Sequence, residues 1–243
     1  MGKIIAIGGG EIGRPKEGGG FYPIETSAID REILALTGKK YPSLLFLPTA
    51  SHDSTGYVEV VKKHFTTIGF KSVDALYLSD KTLSQEHIEK TILSHDAIYV
   101  GGGDTLYMMT LWRRLGVDKI LKKALDRGIV LAGLSAGSIC WFACGNSDSR
   151  KLSSGSNQLI KVTGLGFIDA LHCPHYDIEP FRQDDLKRMM KSTSKVAIAL
   201  DNCTALEVID NTYRIIQNKP GAKARKAYWK RGEYIIQLPS LTP

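Results

Sequence analysis

Few features of this 243-residue chain point outside an ordinary globular fold, and what it lacks is informative. Its four cysteines (Cys140, Cys144, Cys173 and Cys203) form no C-x-x-C pair and are too few to staple a chain of this length, which argues against a disulfide scaffold, a zinc ribbon or a dithiol motif. The residues after Met1 contain no signal-peptide apolar region, and Ala6 breaks the myristoylation pattern. The longest charge-free stretch, 128–146, is interrupted by Gly, Ser and Cys and suits strand, turn and helix better than a membrane span. There is no G-K-[ST] phosphate loop, no repeat and no linker long enough to divide the chain. The expectation is a cytoplasmic protein with free, mostly buried thiols, one domain over residues 1–243, and no membrane partner.

Charge is unevenly placed. Residues 211–243 hold seven basic side chains against the single acidic Glu233, which accounts for most of the net +7. Tyr228 and Trp229 lie among them, a composition compatible with nucleic-acid binding. Alternation over Ala224 to Trp229 and Tyr234 to Gln237 instead predicts a hairpin with a solvated basic face, so no nucleic-acid partner is expected.

Apolar runs at Lys3 to Ile7, Ser43 to Leu47, Val73 to Leu78, Ala97 to Val100 and Ile129 to Leu134 read as buried parallel strands. Helical patterns separate them: Glu25 to Leu36, Tyr57 to Ile68, Gln85 to Leu93, and Thr105 to Leu115 followed by Val117 to Leu125. Strict alternation predicts an α/β fold with a single doubly wound, mostly parallel sheet. Beyond Gly145 come a polar, Ser-rich stretch, a strand at Phe167 to Leu171, a helix at Pro180 to Lys191 and further strands at Val196 to Leu200, Ala205 to Ile209 and Tyr213 to Gln217. The closing strands are expected as an antiparallel edge or a small second sheet.

Ligands of such sheets bind beyond the carboxyl ends of the strands. Gly133-Leu134-Ser135-Ala136-Gly137 lies there, after an apolar strand and before an apolar run at Ser138 to Ala143 that reads as helical, which is the setting of a nucleophile elbow. Gly101-Gly102-Gly103-Asp104 ends another strand; its backbone N–H groups can face the same crevice as an oxyanion hole, with Asp104 as the helix cap. Gly8-Gly9-Gly10-Glu11-Ile12-Gly13 matches G-x-G-x-x-G formally, but Arg14-Pro15 and Gly18-Gly19-Gly20 follow instead of a helix. It therefore reads as a flexible loop that could cover a site, not a dinucleotide turn.

A nucleophilic serine needs a base, and of six histidines only His172 and His175 follow a strand after Ser135. Pro174 restrains the backbone before His175, the better candidate. The third group, which orients the base, has four candidates: Asp177, Glu179, Asp201 and Asn202.

Taken together, Ile7-Gly8-Gly9-Gly10-Glu11, Leu47-Pro48-Thr49-Ala50-Ser51, Val100 to Thr105, Gly133 to Gly137 and Pro174-His175-Tyr176 resemble, in order, the blocks of peptidase E, the aspartyl dipeptidase family of serine peptidases that also includes cyanophycinases. The resemblance implies a flavodoxin-like or class I glutamine amidotransferase-like fold. It implies Ser135 as nucleophile, His175 as base, and an oxyanion hole from the amides of Gly102 or Gly103 and of Ala136. It implies a short peptide as substrate, no metal and no cofactor, and leaves monomer and homodimer open with a lean toward the dimer. Two positions depart from the family. Asn202 takes the place of its third-member Glu, with Asp201 next to it as the alternative, and Arg182 stands in changed surroundings where the family carries a specificity Arg. Arg182 and Asp104 are the candidate substrate-binding residues. A cyanophycin-like polymer, another amide or an ester remains an alternative substrate, and a catalytically degenerate ligand-binding protein remains an alternative of another class.

Overall fold

The computed structural model describes residues 2–178, 181–210 and 212–239; Glu179, the start of the helix expected at Pro180 and the last residues of the expected domain lie outside them. Alternation holds through the first half: β1 (Lys3–Ile7), α1 (Ser27–Leu36), β2 (Ser43–Leu47), α2 (Thr55–Ile68), β3 (Ser72–Ala75), α3 (Gln85–Leu93), β4 (Ala97–Val100), α4 (Thr105–Leu115), α5 (Val117–Asp126) and β5 (Val130–Leu134). There follow α6 (Ala136–Ile139), β6 (Phe142–Ser147), α7 (Ser149–Ser154), β7 (Ile160–Thr163), β8 (Ile168–Cys173), α8 (Arg182–Met190), β9 (Ala197–Leu200), β10 (Thr204–Ile209), β11 (Thr212–Gln217), β12 (Ala224–Lys230) and β13 (Glu233–Gln237).

The doubly wound α/β architecture is present, with its strands divided between two sheets. The first runs β11-β10-β1-β5-β4-β2-β3; β1 to β5 are parallel, and β10 and β11 extend them as an antiparallel edge. The second runs β13-β12-β9-β8-β6-β7 around the parallel trio β9, β8 and β6. Both outcomes expected for the closing strands therefore occur, one in each sheet. The division begins just after Ser135. The run Ser138 to Ala143 is not one helix: α6 is a single turn, and Phe142 onward pairs with β7 and β8. A short apolar run carries no periodicity that separates helix from strand, and Trp141 and Phe142 are residues that pack well in sheets.

Burial on both faces explains the apolar strands. Ile5, Ile7, Leu44, Phe46, Tyr99 and Ala132 meet α1 and α2 through Ile29, Ile33, Val61 and Phe65. Their neighbours in sequence, Ile4, Ala6, Leu45, Ile98 and Leu131, meet Ile88, Met108, Met109, Trp112, Ile120 and Leu121 of α3, α4 and α5, along with parts of the second sheet. A third cluster packs Leu186, Met189 and Met190 of α8 on Leu171, Ala197, Ala199 and Ala227. Among the described residues no helix is long and apolar enough to cross a membrane. The four cysteines form no disulfide, and Cys140, Cys173 and Cys203 are buried.

Within the second sheet, buried Asp201 accepts hydrogen bonds from Lys223 N and the Arg225 guanidinium, fixing the end of β9 to the start of β12. Removing a buried acceptor strands both donors, so Asp201→Ala is expected to cost about 3 kcal/mol in stability. Urea unfolding checks this; a loss below about 1 kcal/mol would show the contact to be incidental.

Candidate active site

The strand β5 is buried throughout and ends in a turn whose geometry follows from its glycines. A Cβ on Gly133 would lie 2.2 Å from Gly137 O, and one on Gly137 would lie 2.1 Å from Val100 O, so the chain can bend back only without side chains there. Ser135 between them takes φ 57° and ψ −113°, a conformation uncommon outside glycine and characteristic of a nucleophile elbow. Its N–H donates to Ile7 O at 3.1 Å. Beneath the elbow the Ser138 hydroxyl lies 2.7 Å from Ser135 O and 2.8 Å from Nε2 of buried His172, whose Nδ1 donates to Ile198 O at 2.9 Å.

His175 follows β8, also at positive φ (52°), with its N–H on Gly8 O at 3.0 Å. Its Nε2 lies 2.8 Å from Ser135 Oγ, and its Nδ1 lies 2.7 Å from Asn202 Oδ1. With the amide oxygen as acceptor, the ring hydrogen is assigned to Nδ1, leaving Nε2 to accept the serine proton. Asn202 sits where the chain passes from β9 to β10, between the sheets. Its turn is tied down by Cys203 N donating to Gly9 O at 2.9 Å and by Asn202 N donating to Asp177 Oδ1 at 2.8 Å. Of the four candidates for the third group, Asn202 faces the imidazole. Asp177 supports the turn, Asp201 is turned toward Lys223 and Arg225, and Glu179 lies outside the described residues.

Ser135 and His175 open onto a cavity of about 610 Å3 lined also by Glu11, Arg14, Tyr57, Gly102, Gly103 and Leu134. Gly102 N donates to the Tyr57 hydroxyl at 3.3 Å. The Gly103 and Ala136 N–H groups donate to no protein acceptor among the described residues. Asp104 is away from the cavity lining; it caps α4, accepting from Tyr107 N at 3.0 Å, the other use its position allows. Arg182 is also away from it: 1% exposed, it donates to Asn146 O at 2.7 Å inside the fold, because α8 packs that face against the second sheet. The cation that lines the cavity is Arg14, paired with Glu11 at 2.7 to 2.9 Å. Arg14 stands out by no motif and Glu11 only as the end of the block Ile7 to Glu11; both lie in the Gly-rich segment that reads as a covering loop. Its beginning is held by hydrogen bonds at Gly8 O and Gly9 O, and Ile12–Ile24 and Pro15–Phe21 bridge its arms. No cluster of His, Cys, Asp or Glu among the described residues could hold a metal ion.

Several known proteins are similar to this chain. A family model described as peptidase family S51 matches residues 18–216. The chain is 33% identical over 241 residues to the uncharacterised peptidase YgaJ of Bacillus subtilis, covering 98% of this chain and 97% of that protein. It is 25% identical over 201 residues to a peptidase E of Nostoc sp., covering 78% of each. Among solved structures, a Listeria monocytogenes protein described as a peptidase E superposes with a TM-score of 0.62 at 20% identity, covering 89% of this chain and 98% of that one. A peptidase from an acI-B1 actinobacterium does so with a TM-score of 0.65 at 19% identity, covering 97% and 96%.

A Cβ on Gly9 would lie 2.1 Å from Asn202 Oδ1 and 2.3 Å from His175 Nδ1, so Gly9→Ala is expected to separate that pair. The low-field Nδ1–H proton resonance of His175 reports it, and an unchanged resonance would refute the clash. Burial pushes the His172 pKa down from 6.5 to about 3, so the unfolded chain takes up this proton first as pH falls. The contribution is complete above about pH 6.5 and is lost on acidification, by about 2 kcal/mol between pH 7 and pH 5. Urea midpoints at the two pH values should show a smaller loss in His172→Gln than in the native chain; equal losses would contradict it.

Proposed function

The chain belongs to peptidase family S51, and from that premise we propose that this serine-type peptidase cleaves short peptides through an acyl-enzyme on Ser135, with His175 as general base and Asn202 orienting the imidazole. The observation that carries the reading is the continuous file Ser135 Oγ, His175 Nε2, His175 Nδ1, Asn202 Oδ1, with separations of 2.8 and 2.7 Å, opening on a cavity. Nucleophile and base within hydrogen-bond reach, with the base held by a third group, is the arrangement that activates a serine.

In this reading Ser135 Oγ attacks the scissile carbonyl carbon while its proton passes to His175 Nε2, and the carbonyl π pair moves onto oxygen. The N–H groups of Gly103 and Ala136, which donate to no protein acceptor among the described residues, support the oxyanion. Collapse expels the amine, which takes the proton from Nε2, and water repeats the sequence on the acyl ester. Asn202 keeps the hydrogen on Nδ1 and the ring in the right plane. Being neutral, it stabilises the transient imidazolium less than a carboxylate would. A cavity of about 610 Å3 is the size of small-ligand sites and suits a di- or tripeptide.

Reaction with a fluorophosphonate, read by intact mass, tests the reading alongside turnover of a di- and tripeptide library. The native chain is expected to label at Ser135 and to hydrolyse at least one peptide, with both lost in Ser135→Ala. Asn202→Ala is expected to lower kcat by about a hundredfold or more with little change in KM. Hydrolysis that survives Ser135→Ala would overturn the mechanism.

A further inference from the structure

We infer that Tyr57 is a further catalytic residue of this site, its phenol donating a hydrogen bond to the oxyanion formed on Ser135 attack; the role rests on the serine mechanism proposed above. The chain delivers Tyr57 to the site from the first turn of α2, which is capped by Ser54. The ring is held edge-on against Phe46, with centroids 5.1 Å apart, and presses on Gly101, where a Cβ would lie 2.8 Å from the ring. Its hydroxyl accepts from Gly102 N at 3.3 Å, and a Cβ on Gly102 would lie 3.3 Å from that of Ser135. The hydroxyl therefore stands beside the Gly-rich turn, on the wall of the cavity that Ser135 and His175 share.

The proton of this hydroxyl is the point. The phenol oxygen is an acceptor toward Gly102, yet among the described residues nothing accepts its own hydrogen. A half-buried donor with a rigid ring and no acceptor in the resting protein is positioned for one that arrives with substrate. Burial holds the Tyr57 pKa up at about 12, so the proton is retained at every pH at which the enzyme would work. The donation costs little reorganisation, because ring and backbone are fixed before substrate enters. No proton is transferred: Tyr57 remains a phenol throughout, and the serine proton goes to His175.

The test uses the rate of Ser135 phosphonylation by a fluorophosphonate, in which Ser135 Oγ bonds to phosphorus, fluoride leaves and the phosphoryl oxygen occupies the oxyanion position. Tyr57→Phe keeps the ring and is expected to slow labelling on the order of a hundredfold, the usual loss for one such donor, with an unchanged thermal midpoint. A rate within threefold of native, or a faster one, as expected if the phenol merely blocks Gly102, would overturn the role. Replacing Tyr57 with 3,5-difluorotyrosine preserves shape and makes the phenol more acidic. Labelling should then fall as pH rises through the lowered phenol pKa, whereas a purely structural ring would leave the pH profile as in the native chain. Absence of labelling in the native chain would refute the serine mechanism and this role together; Ser135 labelling indifferent to Tyr57 would refute this role alone.

Discussion

Three successive carbonyls at the end of β1 organise the site. Ile7 O accepts from Ser135 N, Gly8 O from His175 N and Gly9 O from Cys203 N, at 3.1, 3.0 and 2.9 Å. The segments they hold come from different parts of the fold: Ser135 follows β5 in the first sheet, His175 follows β8 in the second, and Asn202 lies on the passage from one sheet to the other. A few hydrogen bonds to one fixed strand end thus set the mutual distances of three side chains far apart in sequence. The same constraint accounts for the glycines. A Cβ on Gly8 would lie 2.5 Å from Asp201 O, and one on Gly9 would strike the Asn202–His175 pair.

That clamp holds backbone in unfavourable conformations. Ser135 and His175 both adopt left-handed φ values, each costing on the order of 1 to 3 kcal/mol, and such residues persist only where their surroundings over-determine them. Here the surroundings are β5, buried on both faces, and a polar layer below the elbow. The N–H groups of Ser138 and Ile139 donate to the Ser135 carbonyl at 2.9 and 3.0 Å, and the Ser138 hydroxyl lies between that carbonyl and buried His172, whose ring is stacked 4.4 Å from Phe142. Two Ser–His pairs therefore stand one above the other: the upper opens onto the cavity, and the lower is a buried support whose imidazole is kept neutral by burial.

The hydrogen on His175 Nδ1 meets an amide oxygen, the cavity's ion pair of Glu11 and Arg14 is internally balanced, and the basic C-terminal strands are elsewhere. In such a site preorganised neutral donors count for most, since they act on developing charge without first being stripped of water.

The sequence alone determined the strand–helix alternation and the strand ends that meet at the candidate site, because apolar runs punctuated by glycine and proline report burial and turns locally. The meeting of Ser135 and His175 was legible for the same reason: each sits in a short context whose backbone demands are written in adjacent residues. The choice between Asn202 and Asp201 was not, since neighbouring residues in a turn point opposite ways and only the docking of β12 against β9 decides which one Lys223 and Arg225 claim. The division into two sheets, the burial of Arg182 beneath α8, and the approach of Tyr57 and Arg14 to Ser135 were likewise decided by tertiary packing. A single residue's environment is a sum over contacts distant in the chain, and local sequence patterns carry no record of that sum.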